Sequence, residues 1–153
     1  SNVFSNTACL LFVCVICGMI ISGIIVLKKG KEISLQRFHP WVFSGAIQKM
    51  EGVVNDGVWV EVKDFAHKTL GFGHYQNGSI AVRMLSFNSV VPDKSFYAKK
   101  LGHALALRAS AHLPSAHTNC FRLVHGEGDG LTGLVIDYYD GVAIVQAHST
   151  GMH

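Results

Sequence analysis

Charge is what the start of this chain lacks: residues 1–27 contain no Asp, Glu, Lys or Arg, and over all 153 residues only 15% are charged. Cysteine is sparse and unpatterned. Cys9, Cys14 and Cys17 fall in the uncharged stretch and Cys120 stands far from them. Cys14-Val15-Ile16-Cys17 has the letters of a C-x-x-C pair, yet no second pair or flanking histidine completes a zinc site, and no disulfide framework is suggested. A reducing, cytoplasmic compartment is the default for such a chain. Also missing are a Ser-His-Asp order, paired acids and a P-loop. The nine histidines include His103, His112 and His117 on or just after one helical pattern, but none are spaced four apart with a carboxylate nearby. They read as scattered surface residues, so no metal site and no catalytic residue is assigned.

Gly128-Asp129-Gly130-Leu131-Thr132-Gly133 fits G-x-G-x-x-G. A dinucleotide loop needs a helix next, because the phosphates sit on its N-terminal amides. A strand pattern follows instead, and Glu127 and Asp129 would repel a phosphate, so a hairpin turn is the better description. The uncharged start leaves three descriptions open. Residues 8–27 are long enough to span a bilayer, and Lys28, Lys29 and Lys31 would then keep the following chain in the cytoplasm. If Ile24-Ile25-Val26-Leu27 is instead the first strand of a domain, the remaining apolar run is short and closer to a signal-peptide core, although it has no basic start. The third description is a non-native or unimportant extension over residues 1–23, with a natural start at Met19.

What is present is apolar, glycine-rich sequence (49% apolar, 16 glycines), which suits a sheet with many turns. Residues 26–112 hold twelve Lys or Arg against six acids, whereas residues 113–153 hold Arg122 against four acids. A basic front with an acidic tail is compatible with a polyanion such as RNA. After the strand at 24–27, Lys28-Lys29-Gly30-Lys31 reads as a tight basic turn. Glu32 to Phe38 makes about two helical turns, with Ile33, Gln36 and Arg37 near one side, until His39-Pro40 ends it. Trp41–Ile47 alternates as a strand that places Trp41, Phe43, Gly45 and Ile47 on one face, an aromatic anchor for the core. Strands follow at 58–62, 69–75 and 80–85, with glycines in the second that permit close approach by another backbone. Short strands at this spacing, with one short helix, describe a small β-barrel. Asp93 then caps a helix running to about His112, with Tyr97, Leu101, Ala104, Leu105 and Arg108 at helical spacing. A three-stranded meander covers 120–148. The fold class is mainly β with helices (α+β), with a boundary near residue 92. Lys28, Lys29, Lys31, Arg37 and His39 surround the first strand–helix–strand turn and are the candidate RNA-binding set, the lysines as phosphate-attracting charges and Arg37 as a forked donor.

Two runs carry a resemblance. Leu27 to Glu32 followed by Arg37–Ile47 resembles the PUA domain that opens RlmI-type class I rRNA methyltransferases, and Phe121–Asp137 is similar to that family's central domain. The resemblance covers about residues 24–153. It implies a PUA-like barrel over 24–92, an incomplete α/β central domain over 93–153, and ribosomal RNA of the large subunit as partner. It further implies 5-methylcytosine formation from S-adenosylmethionine by a catalytic domain absent from this sequence, so that the chain alone is inactive and binds no cofactor. Within the family pattern Trp41, Phe43 and Ile47 are expected to hold the barrel and Arg37 and His39 to meet RNA. Cys120 is not a nucleophile in this reading. Phe38 stands where some members are basic, and Thr132 where proline is common, a change expected to be tolerated in a turn. The alternative of a different class is a stand-alone, membrane-tethered RNA-binding module without enzymatic activity.

Overall fold

A computed structural model describes residues 20–153. Cys9, Cys14, Cys17, Met19 and most of the apolar stretch lie outside them. Six strands make one curled sheet, a half-barrel: β1 (Ile21–Leu27), β2 (Trp41–Phe43), β3 (Ile47–Gly52), β4 (Trp59–Lys63), β5 (Thr69–Tyr75) and β6 (Ile80–Ser86). Their spatial order is β2-β6-β5-β4-β1-β3, with β1 and β4 parallel and every other pair antiparallel. The first strand begins at Ile21, three residues before the expected Ile24. Its far half is fully inside, with Ile25 and Leu27 at 0% exposure. Residues 21–27 are therefore a sheet strand, not the end of a helical span, and no described helix is long and apolar enough to cross a membrane.

The glycines of β5 do what their positions suggest. A Cβ on Gly73 would sit 2.2 Å from the Arg83 carbonyl oxygen and one on Gly71 2.1 Å from that of Ser86. Only glycine lets β6 lie this close. The core of the half-barrel collects Ile25, Leu27, Leu35, Val42, Val60, Val62, Tyr75, Val82 and Met84.

Three expectations are corrected here. The segment Trp41–Ile47 is not one strand: β2 stops at Phe43, a 3-10 turn spans Ser44–Ala46, and β3 starts at Ile47. Its faces are also reversed, since Val42 is buried (2% exposed) while Phe43 is 49% exposed and Trp41 is half-buried. Alternation fixes which residues share a face but not which face turns inward. The compact valine fits the barrel, and the indole reaches a polar partner outside it. The first helix is shorter than expected as well: α1 covers Ile33–Gln36 and buries Leu35, leaving Ile33 and Arg37 exposed. It ends before His39-Pro40. Phe38 adopts a left-handed backbone (φ 61°), its N–H bonds to Leu35 O (2.9 Å) and the His39 N–H bonds to Ser34 O (3.0 Å). That pair of bonds is a Schellman cap, in which phenylalanine stands where glycine is usual.

The second part contains α2 (Phe96–Ser110) and the sheet β7 (Cys120–His125), β8 (Leu134–Tyr139) and β9 (Val142–Ala147), a meander as expected. Tyr97 and Ala104 are the buried positions of α2, with Leu101, Leu105 and Arg108 beside them on the expected stripe. Asp93 lies before the helix and not at its cap. Its carboxylate accepts the Ser95 N–H (2.9 Å) and the Ser95 hydroxyl (2.6 Å) in the entering turn. The two parts share a second core. Trp59, Phe72 and Leu85, from the outer face of the half-barrel, pack with Tyr97, Ala104, Val124, Leu131, Leu134 and Ile136. The meander thus covers one face by leaning on its neighbour, as three strands alone could not.

Candidate nucleic-acid interface

The two edge strands of the curled sheet, β2 and β3, are consecutive in the chain and joined by only the Ser44–Ala46 turn. So short a link brings the sheet's edges near one another. The basic turn closes the seam. The Lys28 N–H bonds to Ala46 O and its Nζ donates to Gly45 O, each at 2.9 Å, while Gly30 at φ 83° turns the chain and the Lys31 N–H returns to Lys28 O (3.0 Å).

A concavity of about 480 Å³ opens on this seam, lined by Gly30, Lys31, Ser34, Leu35, Trp41, Val42, Phe43, Gly45 and Ala46. The expected RNA-binding residues separate around it. Lys31 lines it. Lys28 spends part of its hydrogen-bonding capacity on Gly45. The Lys29 ammonium sits 5.5 Å from the centre of the Phe65 ring, over the β4–β5 connection. Arg37, at the exposed end of α1, has no side-chain hydrogen bond or ion pair among the described residues. The His39 Nδ1 lies 3.2 Å from both the amide nitrogen and the carbonyl oxygen of Trp41, and its ring contacts two aromatics, Trp41 (centres 5.8 Å apart) and Phe43 (6.2 Å).

Trp41 and Phe43 were missed as surface residues by the sequence reading, which gave them to the core. They sit two apart on the outer face of β2 with their rings edge to face at 6.4 Å. The indole N–H of Trp41 donates to Glu127 Oε1 at 3.1 Å. Glu127 belongs to the 3-10 turn Gly126–Asp129 between β7 and β8. The sequence signal that could have found this is the aromatic pair at i and i+2 beside unpaired cations, a pattern that serves bases as well as cores.

The glycine-rich turn itself is occupied by the fold. Arg108 makes a two-pronged bond to the Asp129 carboxylate, with Nη2 to Oδ2 at 2.8 Å, and Asp129 Oδ2 also accepts the His125 N–H at 2.6 Å. Burial pushes the Asp129 carboxyl up, but the Arg108 and His125 hydrogen bonds outweigh it and hold its pKa below the ordinary value. Strand β8 follows this turn, as expected for a hairpin connection. Thr132 is more than a tolerated turn residue. It is 1% exposed, and its hydroxyl donates to Met84 O at 2.8 Å, tying the turn to β6.

Residues 25–87 match the family model of the PUA-like domain. The chain is 40% identical over 132 residues to the ribosomal RNA large subunit methyltransferase I of Alteromonas mediterranea, covering 85% of this chain and 33% of that protein. It is 38% identical over 129 residues to the protein of the same name from Escherichia coli strain UTI89, covering 83% and 32%. The chain thus spans about a third of the length of these curated relatives. Among solved structures, a candidate SAM-dependent methyltransferase from Streptococcus mutans superposes with a TM-score of 0.71 at 18% identity, over 86% of this chain and 34% of that one. That likeness concerns the fold. The seam, the basic turn and the aromatic face of β2 all lie within the residues that match the PUA-like model.

Proposed function

We propose that this chain is the RNA-holding part of an S-adenosylmethionine-dependent methyltransferase that forms 5-methylcytosine in large-subunit ribosomal RNA in the cytoplasm. The observation that carries the reading is the identity of 40% over 132 residues to a ribosomal RNA large subunit methyltransferase. The seam adds a physical basis, with Lys31 and the aromatics Trp41 and Phe43 lining one concavity. Residues 24–92 supply the RNA surface through Lys28, Lys29, Lys31, Arg37 and His39. Residues 93–153 begin the unit that orients this surface against the chemistry. Lys31 and Arg37 are the principal phosphate contacts, because Lys28 and Lys29 are also engaged within the fold.

The described residues do not fit S-adenosylmethionine. The glycine-rich turn that could cradle it runs into a strand, and Asp129 in that turn is held by Arg108. Methyl transfer is assigned to chain outside these 153 residues, and calorimetry on the chain alone should detect no micromolar binding of the cofactor. Micromolar binding would overturn that assignment. The RNA surface is tested by fluorescence anisotropy with a ribosomal RNA fragment across a salt series. Lys31→Glu with Arg37→Glu should weaken binding about tenfold or more. The slope of affinity against salt should flatten by roughly 0.7 for each single-strand phosphate that is no longer neutralised. Unchanged affinity and slope would remove the basic turn from the reading.

A further inference from the structure

The seam concavity is built for something more specific than a phosphate backbone. Its wall carries two aromatic rings on an outward strand face, and Phe43 is 49% exposed. Burial drives aromatics into cores, so a paired aromatic surface beside a cleft calls for a partner. The cleft's volume of about 480 Å³ falls in the range of small-molecule sites, roughly 300–1,000 Å³. Lys31 gives it a positive rim, and Arg37, free of side-chain partners among the described residues, lies on the neighbouring helix end.

We infer that the cleft takes one unpaired nucleobase of single-stranded RNA, stacked on the Trp41–Phe43 face with its phosphate towards Lys31 and Arg37. The inference rests on the RNA reading above and refines it. Duplex bases are already stacked and their edges paired, so a duplex offers this cleft no free ring face. Every base has such a face, and stacking on aromatics tolerates sequence. Glu127 is a positioning residue. It touches no base, but its carboxylate takes the indole N–H at 3.1 Å and so holds one ring of the platform from the turn between β7 and β8. His39 braces both rings from within the strand–helix junction.

The test uses the full chain with a labelled single-stranded oligonucleotide and the same oligonucleotide annealed to its complement. The chain has two tryptophans, and only Trp59, at 6% exposure, is sealed in a core. Its emission therefore reports folding while that of Trp41 reports stacking. The single strand should quench Trp41 and bind with salt dependence, the duplex should not quench, and Trp41→Ala should weaken single-strand binding about tenfold. Trp41→Phe, which keeps a ring, should lie within about threefold of the parent. Glu127→Ala should weaken single-strand binding about threefold and reduce the quench, and Glu127→Gln should restore both, because its amide oxygen accepts the same indole proton. Salt-dependent RNA binding without Trp41 quenching, or equal for the two oligonucleotides, overturns the base cleft and leaves the RNA reading standing. No salt-dependent binding to either overturns both.

Discussion

Trp41 and Val42 show how a single residue's direction decides what a motif is for. The same alternating run that anchors a core when tryptophan faces inward becomes a platform when valine does, and nothing local in the sequence chooses between them. Phe38 was equally hard to read. Glycine is the signal for a left-handed helix end, so a phenylalanine at φ 61° leaves no mark, although Pro40 rightly showed that the helix could not continue. Gly73 was legible, because an isolated glycine in a strand announces close backbone approach. Gly73→Ala would place its Cβ 2.2 Å from the Arg83 carbonyl oxygen and push β5 from β6. It should destabilise the fold by about 2 kcal/mol or more, near the upper part of the overpacking range, read as a lower urea midpoint.

At the scale of elements, strands were read well where a strand had one clear face or tight turns at its ends. β5 has the expected limits, Thr69–Tyr75, and β7 (Cys120–His125) begins where the meander was expected to begin. Contacts between elements were not legible, because they depend on residues distant in sequence. The clamp between α2 and the Gly126–Asp129 turn is one such contact. Arg108 and Asp129 have side chains only 14% and 5% exposed, so removing one strands the other in a dry site. Arg108→Met should cost about 3–5 kcal/mol. Arg108→Met with Asp129→Leu should recover much of that loss in the same denaturation measurement, since no unpaired charge remains. A double variant no more stable than the single one would show that Asp129's bond to the His125 amide matters more than the ion pair.

For the whole molecule, the division near residue 92 in the sequence understates how the parts depend on one another. Trp59, Phe72 and Leu85 belong by sequence to the half-barrel and by packing to the second core. His74 sits at this join at 3% exposure, with its ring 4.7 Å from that of Trp59 and Nε2 3.3 Å from the Tyr97 hydroxyl. Burial pushes its pKa from the ordinary 6.5 down to about 4. Between those values the unfolded chain holds a proton that the folded chain does not, so acid favours unfolding. Stability should be level in this respect above pH 6.5 and fall by about 3 kcal/mol as pH drops towards 4. His74→Phe should flatten that part of the profile in urea melts at a series of pH values. A slope unchanged by the substitution would assign the acid sensitivity to other groups.

The position of β1 also bears on the order of events during synthesis. Its hydrogen-bonding partners are β3 on one side and β4 on the other, with Val26 opposite Lys49 and also opposite Lys63. A ribosome extrudes this apolar strand before both of its neighbours, neither of which exists until residues 47–63 have followed it into solution. The earliest of the described strands to be made is therefore among the later ones to be satisfied, and its parallel pairing with β4 is the kind of non-local contact that slows folding. Until then its exposed edges invite other chains, so the nascent protein is most vulnerable to aggregation before the seam between β2 and β3 has closed.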